Sequence, residues 1–424
     1  MIANQEIPKH WKLMKLRDVC SELQSGKRPK GGVQGIESGI PSLGAEHLNY
    51  NGGFKFEKIK FVPKEFAEQM NKGVVRKDDI IVVKDGATTG KTSFVGSEFP
   101  FEFAVINEHV FIVRLKEDVL PKFAFYKLFS STGHKEILED FRGAAQGGIS
   151  SGFLDKVNFP IPPLPEQQAI VSKIEELLSD LENGKQQLQT AQQQLKVYRQ
   201  SLLKWAFENS NFKEYILNDV TEKIQIGPFG TQLHKEDYVE NGIPLINPMH
   251  IKNGNIEADY SYSITKEKRN SLPNYILAEG DVIMGRRGEM GRCGLVAKKE
   301  SGWFCGTGSL YFRPDAKKLN SLFLYYYLSS QPVKKYLDDN AGGTTMANLN
   351  LKIVNEIPIP LPSLKEQQHI VSELESKLTV CDKIEETISQ NLQQAETLRQ
   401  SILKKAFEGK LVQTEEFTSN KKRN

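Results

Sequence analysis

One glycine-rich turn in this chain has residue types and a spacing that could hold a phosphate. The segment GATTGKTS begins at Gly86, shortly after the hydrophobic run Ile80–Val83, and looks like the P-loop of an NTPase. A P-loop places four residues between its glycines so that successive backbone amides cradle the phosphates, whereas only three separate Gly86 from Gly90. The matching turn of the second half, GEMGRCG from Gly288, also lacks the Lys-Thr pair. We therefore do not expect nucleotide binding, and a P-loop NTPase with coiled-coil arms is the alternative from another functional class.

Basic residues gather at glycine-rich turns in both halves of the chain. The candidate DNA-binding residues are Lys27, Arg28, Lys30, Lys84, Lys91, Arg286, Arg287 and Arg292. Glycine-rich loops let cationic side chains approach phosphates closely, and arginine can also hydrogen-bond O6 and N7 of guanine. A solvated, charged turn is the simpler explanation for any one cluster, but recurrence at matched positions favours a binding role.

No catalytic or metal-binding pattern accompanies these residues in the sequence. The seven histidines have no metal-ligand spacing, and NPMH at Asn247 departs at two positions from the Asn-Pro-Pro-aromatic tetrapeptide of methyltransferases. The four cysteines, Cys20, Cys293, Cys305 and Cys381, form no CxxC pair, so reduced packing residues are expected. The sequence predicts a binding protein that is not itself an enzyme.

A repeat identifies the elements that must position these turns. EQQAIVS at Glu166 returns as EQQHIVS at Glu366, and RQSLLKWAFE at Arg199 returns as RQSILKKAFE at Arg399, always 200 residues apart. Apolar spacings predict a coiled-coil seam on two long helices. The seam residues are Ile174, Leu181, Leu188, Leu195 and Leu202 in the first copy, and Leu374, Ile384, Ile388, Leu398 and Ile402 in the second. An antiparallel pair is expected, because the intervening domain cannot comfortably bridge the far ends of a parallel pair.

The repeat extends more weakly into the globular parts of the chain. GIPSLGAEHL from Gly39 corresponds to GIPLINPMHI from Gly242, and strands at Ile80–Val83 and 110–113 and a helix at 123–129 are predicted. We therefore expect an α/β (α+β) fold of two similar domains separated by antiparallel coiled-coil helices, with a pseudo-twofold repeat. The predicted boundaries are 1–160 and 209–360 for the domains, 161–208 and 361–412 for the helical spacers, and 413–424 for a tail.

Composition places few further limits on function. The chain has 424 residues, a net charge of +3 and 39% hydrophobic residues, which is ordinary for a globular protein. A nucleic-acid surface would therefore have to arise from local segregation of charge. The sequence contains no apolar signal region near Met1 and no apolar run of membrane-spanning length, so a cytoplasmic protein is expected.

Several segments resemble one known family over nearly the whole chain. PIPPLPEQQAIVSKI, RQSLLKWAFE and the C-terminal RQSILKKAFEGKLV are similar to helical regions of the DNA-specificity subunit of type I restriction-modification systems. The opening Trp11-Lys12-Leu13 resembles the start of the family's target-recognition domain. The second domain reopens near Lys213 without the tryptophan, which departs from that pattern.

The resemblance implies two target-recognition domains, each reading part of a bipartite site in double-stranded DNA. It also implies that the helices act as a spacer and dock two modification subunits, which bind S-adenosylmethionine and methylate adenine. Restriction subunits that use ATP and Mg would join further out, and this chain would be non-catalytic and bind no cofactor itself. The recognition loops are the family's variable part, so the resemblance assigns no base-contacting residue. A scaffold with no DNA role is the second alternative.

Overall fold

The computed structural model describes residues 7–143, 147–208, 212–252, 254–287, 291–341 and 349–412. The chain forms two compact units, the first made of residues 1–188 with 390–424 and the second of residues 189–389. Each unit therefore contains one globular domain and part of each long helix. Across the described ranges, no helix combines the length and the apolar character that crossing a membrane requires.

The first unit is a mixed α/β domain. Its described elements are β1 (Lys12–Lys15), α1 (Leu16–Val19), β2 (Cys20–Ser25), β3 (Ile40–Leu43), β4 (Lys60–Val62), α2 (Lys64–Glu68), β5 (Ile80–Val83), β6 (Thr92–Phe94), β7 (Val105–Ile106), β8 (Val110–Leu115), α3 (Pro121–Phe129), α4 (Ser131–Leu138), α5 (Phe153–Lys156), β9 (Asn158–Ile161) and the first part of α6 (Leu164–Phe207). The predicted strand and helix positions are confirmed, and β8 extends two residues beyond its predicted end.

An antiparallel sheet with the strand order β2-β8-β5-β6 forms the centre of this unit. Ile80 and Val82 of β5 pack into the cluster that contains the helices, whereas Ile81 and Val83 pack into a cluster beneath a second sheet. That second sheet has the order β4-β3-β7, with β3 and β7 parallel. Because β5 is covered on both faces, its sequence is a continuous apolar run instead of an alternating one.

The second unit repeats this architecture. Its described elements are β10 (Glu214–Ile216), α7 (Leu217–Val220), β11 (Thr221–Ile226), β12 (Tyr238–Val239), β13 (Ile243–Ile246), β14 (Ile251–Lys252), β15 (Asn255–Ile256), β16 (Ser263–Ile264), α8 (Lys266–Ser271), β17 (Val282–Gly285), β18 (Cys293–Leu295), β19 (Phe304–Cys305), β20 (Ser309–Pro314), α9 (Ser321–Leu328), α10 (Gln331–Asn340), α11 (Leu351–Asn355), β21 (Pro358–Pro360) and the first part of α12 (Leu364–Phe407). The sheet order β11-β20-β17-β18 and the parallel pair β13 and β19 match the first unit. The predicted fold of two similar domains is confirmed.

The two long helices, α6 and α12, each contain 44 residues and run antiparallel within each unit. In the first unit, Ile174 shares a core cluster with Phe407, and further along α6 Glu182 contacts Arg399. In the second unit, Leu202 shares a cluster with Leu374. Most predicted seam residues are buried, and Leu181 and Leu188 are half-buried. The buried set is Ile174, Leu195, Leu202, Leu374, Ile388 and Ile402.

The seam prediction is wrong for Ile384 and Leu398, which are 44% and 51% exposed. Each lies one residue, or about 100° of helical rotation, away from the true seam position. Those positions hold Glu385 and Arg399, whose charges pair with the facing helix within their units. Arg399 Nη2 lies 3.5 Å from Glu182 Oε2, and Glu385 Oε2 accepts from Arg199 Nη2 at 2.9 Å. An apolar pattern alone cannot identify seam positions occupied by charged side chains.

Candidate nucleic-acid interface

The basic turns of the first unit meet at one edge of its four-stranded sheet. β2 and β5 both run antiparallel to β8, so the ends of β2 and β5 lie beside the start of β8. Three turns share this edge: residues 26–32 after β2, residues 84–91 between β5 and β6, and residues 107–109 before β8. The sheet thus brings together Arg28 and Lys84, which are far apart in sequence.

The second unit has the same edge, because β11 and β17 both run antiparallel to β20. Arg286 directly follows β17 as Lys84 directly follows β5, so these two residues occupy equivalent positions. Arg292 and Lys91 are also equivalent, since each directly precedes the next strand of its hairpin. The recurrence seen in the sequence therefore corresponds to one place in the fold.

Arg28 in the first unit is held by a network of opposite charges. Its Nη2 lies 2.8 Å from Oε1 of Glu108 and donates to Nε2 of His109 at 3.0 Å. Nδ1 of His109 lies 2.6 Å from Oδ1 of Asp85, which fits a neutral imidazole with its proton on Nδ1. Two carboxylates thus offset the positive charge at this point.

The other cations of this edge differ in how far they reach into solvent. Lys27 and Lys30 are exposed. Lys84 is half-buried, with its Nζ 3.5 Å from the carbonyl oxygen of Glu108 and 5.6 Å from the centroid of the Phe111 ring. The two exposed lysines are therefore better placed than Lys84 to approach a phosphate.

Lys91 and Arg292 hold loops in place. Nζ of Lys91 donates to the carbonyl oxygen of Leu48 at 3.1 Å. Nη1 of Arg292 donates to the carbonyl oxygens of Pro248 and Ile251 at 3.2 and 3.3 Å. Both cations thus brace the loop that follows the parallel-paired strand of their unit, and we leave them out of the proposed DNA contacts.

A positively charged cavity of about 360 Å³ lies at the loop edge of the second unit. Its lining residues are Pro228, Phe229, Gly230, Leu233, His234, Lys235, Tyr238, Arg286, Arg287 and Thr307. Among the described residues, the lining includes lysine, arginine and histidine but no aspartate or glutamate. A concave surface with such an excess of basic groups attracts the phosphates of nucleic acids.

Arg286 is the least exposed of these cations, with only 4% of its surface accessible, whereas Arg287 is exposed. The guanidinium carbon of Arg286 lies 5.6 Å from the centroid of the Phe229 ring. Its buried Nε has no hydrogen-bond partner in the described part of the chain. Burial, and then the neighbouring charge of Arg287, lowers the pKa of Arg286 below its ordinary value.

Sequence reasoning missed Phe229, His234 and Lys235 because they stand among ordinary loop residues. A signal for their position exists, since LQSG before Lys27 corresponds to IQIG before Pro228. The structure confirms this correspondence, because β2 and β11 end at the residue before Gly26 and Gly227. Aligning the repeat on these glycines would have placed Phe229 in the same turn as Arg28.

The P-loop-like segment forms a turn between two antiparallel strands. β5 and β6 pair directly through Ile80 and Phe94, so the turn that begins at Gly86 closes a hairpin. A P-loop instead joins a strand to a helix whose N-terminus faces the phosphates. Among the described residues, no group of three or more His, Cys, Asp or Glu could hold a metal ion. Burial raises the pKa of the Cys293 thiol to about 12, which makes it a poor nucleophile.

The long helices present a second exposed surface within the second unit. Tyr198 and Trp205 of α6 and Val380 and Ile384 of α12 are exposed large side chains. Nζ of Lys377 on α12 lies 5.2 Å from the centroid of the Trp205 ring on α6, so the surface extends over both helices. We call these four exposed residues the helix patch.

Comparison with known proteins assigns both halves of the chain to one family model. The model described as type I restriction modification DNA specificity domain matches residues 8–190 and again residues 209–394. The EcoBI specificity subunit of a type I restriction enzyme from Escherichia coli is 27% identical over 409 residues, covering 89% of this chain and 84% of the relative. The MjaVIII specificity subunit from Methanocaldococcus jannaschii is 22% identical, and the match covers 96% of this chain and 94% of the relative.

Two solved structures have the same fold. A chain from a study of complex assembly and conformational transition of the type I R-M system has a TM-score of 0.74 at 20% identity, covering 95% of this chain and 99% of that chain. The HsdS subunit from Thermoanaerobacter tengcongensis has a TM-score of 0.62 at 19% identity, covering 95% and 98%.

Proposed function

This chain belongs to the type I restriction modification DNA specificity family, and we propose that each of its two domains reads one half of a bipartite DNA site. The loop edge of each four-stranded sheet forms the contact surface. Two weak contacts held in one chain reinforce each other, because binding by the first raises the effective concentration of the second. Two similar domains also match a bipartite site, because each domain can bind one half-site of the duplex.

The observation that carries this proposal is the positive cavity of the second unit. Arg287, Lys235 and His234 are exposed around it, and none of the described residues that line it is acidic. In the first unit, Lys27 and Lys30 provide the exposed cations of the equivalent edge. We propose these five residues, together with Arg286, as the DNA contacts of the protein, while Arg28 and Lys84 contribute through the network at their edge.

We further propose that the helices dock modification subunits, which bind S-adenosylmethionine, and that restriction subunits using ATP and Mg join the assembly. The helix patch supports docking, because exposed aromatic and apolar side chains on one surface are typical of protein interfaces. Under this proposal the isolated chain transfers no methyl groups, and methylation of DNA requires added modification subunits.

Salt dependence of DNA binding tests the contact surface. We expect the double substitution Arg287→Ala with Lys235→Ala to weaken binding and to reduce the slope of log K against log salt by about one unit for each phosphate that is no longer neutralised. Filter binding of the full chain at several salt concentrations measures this slope. Lys317→Ala is the matched control, because this exposed lysine lies beyond the opposite end of β20. Equal slopes for the double variant and the control would show that the cavity does not contact DNA.

A further inference from the structure

We infer that Arg286 is the residue with which the second domain reads a guanine in its half of the DNA site. The inference rests on the proposed function and goes beyond it by assigning a base and a residue. Arginine recognises guanine by donating two parallel hydrogen bonds to O6 and N7 in the major groove. Such recognition requires a guanidinium that is fixed in position and not already used by a protein acceptor.

The surroundings of Arg286 fix its guanidinium. The side chain is buried and lies against the Phe229 ring. Its backbone is held on both sides, since Arg286 N donates to Gly308 O at 3.0 Å and Leu349 N donates to Arg286 O at 3.1 Å. An arginine held in this way loses little conformational entropy when it binds, in contrast to a flexible surface cation.

The guanidinium of Arg286 also keeps unused hydrogen-bonding capacity. In the described part of the chain its side chain forms no ion pair, and its buried Nε has no acceptor. A buried polar group without a partner is unfavourable, so an acceptor entering the cavity offsets an existing cost. The carbonyl and ring nitrogen of guanine are acceptors of this kind.

The exposed cations around the cavity separate phosphate binding from base reading. The cations Arg287 and Lys235 are exposed, as is His234, and these side chains can follow the DNA backbone, which carries no sequence information. Arg286 stands behind them in a fixed position. We therefore assign two roles: the exposed cations orient the protein on the duplex, and the buried Arg286 discriminates between bases.

The first domain lacks this arrangement, which limits the inference to one half-site. Lys84 takes the place of Arg286, and its single ammonium group cannot form two parallel bonds. Glu108 stands before β8 where Thr307 stands before β20, so a carboxylate occupies this edge in the first domain. Phe229 is likewise replaced by Arg28, which pairs with Glu108.

The test uses the full chain, assembled with modification subunits, and a DNA duplex carrying its target. Sequencing of methylated DNA first defines both half-sites, and variants of the second domain assign the half that it reads. Each guanine of that half-site is then replaced by 7-deazaguanine, which lacks the N7 acceptor. For one guanine we expect the affinity of the unsubstituted protein to fall about fivefold or more.

Two variants complete the experiment. Arg286→Lys keeps the charge but loses the paired donors, so we expect binding to the target to weaken about 5- to 150-fold. This variant should no longer respond to 7-deazaguanine, and its salt slope should stay unchanged. Lys317→Ala, at an exposed lysine outside the proposed contact surface, is the control, and it should retain both the affinity and the response to the modified base.

Each other outcome has a definite meaning. Full sensitivity of Arg286→Lys to 7-deazaguanine, or a half-site without guanine, overturns the inference while leaving DNA recognition intact. If the unsubstituted protein fails to prefer its methylated target over random duplex, the proposed function itself is wrong. Thermal unfolding checks whether Arg286→Lys folds. If it does not, the affinity of the unsubstituted protein for duplexes with 7-deazaguanine tests the inference by itself.

Discussion

A buried ion pair in the first domain illustrates how single residues stabilise this fold. Nζ of Lys127 lies 2.8 Å from Oε2 of Glu136, and both side chains are almost wholly buried. Burial lowers the pKa of Lys127, and the charge of Glu136 opposes that effect. The corresponding positions of the second domain hold Tyr327 and Tyr336, which donate to backbone carbonyls. The same two positions can therefore hold either a buried ion pair or two tyrosines bonded to the backbone. In the first domain, each member of the ion pair depends on the other.

Removing one member of this pair should be costly. We expect Glu136→Gln to lower the free energy of unfolding of the first domain by about 3–5 kcal/mol, because the buried ammonium loses its counter-charge. Replacing both residues with Met and Leu should cost less than the single change. Urea unfolding of the full chain, followed by hydrogen exchange in peptides of the first domain, measures the difference.

Lys122→Met provides the control for this prediction. Lys122 pairs with Glu175 in the same unit, but both side chains are about 40% exposed. Solvent screens this pair, so its removal should change stability by about 1 kcal/mol or less. Equal effects of Glu136→Gln and Lys122→Met would contradict a special role for the buried pair.

At the residue scale, the sequence shows which side chains are basic but not which of them are free to contact DNA. Lys91 donates to Leu48, and Arg28 pairs with Glu108, through contacts that join distant parts of the chain. Those partners lie in loops whose positions depend on the sheet order. A set of cations chosen from the sequence therefore includes structural residues and omits the ring of Phe229.

At the element scale, the repeated glutamine of the EQQ motif joins each long helix to its domain. Gln167 donates from Nε2 to the carbonyl oxygens of Asp118 and Pro162 at 3.1 and 3.0 Å, and it accepts from the Leu120 amide at 2.8 Å. Gln367 forms the same three bonds with Lys318, Pro362 and Asn320. The amide side chain has the two donors and the acceptor that this position needs.

We expect Gln367→Ala to destabilise the second domain by about 3 kcal/mol, since it leaves two carbonyls and one amide without partners in a region shielded from water. Hydrogen exchange of the Asn320 amide should accelerate in parallel. Gln368→Ala is the control, because the Gln368 side chain is exposed and, among the described residues, accepts one hydrogen bond, from Nδ2 of Asn320 at 3.2 Å. Equal stability of the two variants would show that the three hydrogen bonds of Gln367 do not stabilise the second domain.

The helices were the most predictable elements, because repetition and length are both visible in the sequence. Their detailed contacts were less so. Ile384 and Leu398 were assigned to the seam for their hydrophobicity, but Glu385 and Arg399 occupy it instead. Long charged side chains pack their apolar stems and pair their ends across a helix interface, which a hydrophobic pattern does not register.

At the scale of the whole molecule, the repeat is accompanied by differences between the halves. Glu166 is buried, accepts from Trp11 Nε1 at 3.0 Å and lies 2.8 Å from His10 Nε2. Its counterpart Glu366 is exposed and accepts from Ser363, because no tryptophan opens the second domain. The departure from the family pattern in the sequence therefore has a structural consequence at the start of α12.

An antiparallel helix pair predicts that the C-terminal segment from Gly409 to Phe417 lies on the first domain, where α12 ends. This is confirmed as far as Val412, since Leu411 and Val412 pack against the core cluster that contains Trp11. Residues 413–417 lie outside the described residues. The prediction succeeded because it depended on the length and direction of the helices and not on side-chain detail.

The proposed spacer role of the helices makes the length of α6 and α12 a determinant of the DNA gap. We expect insertion of three heptads after Thr190 and three after Gln390 to preserve the seam pattern and add about 31 Å at 1.5 Å per residue. That length corresponds to about nine base pairs, close to one turn of DNA, so both half-sites stay on nearly the same face of the duplex.

Methylation mapping with modification subunits decides this prediction. Both half-sites should keep their sequences while the gap between them lengthens by about nine or ten base pairs. A single heptad in each helix adds only about three base pairs, which turns one half-site away from its domain and should abolish modification. Insertion into α6 alone should also fail, because the apolar positions beyond it lose their partners on α12. An unchanged gap with full activity in the doubly extended protein would mean that the helices do not set the distance between the half-sites.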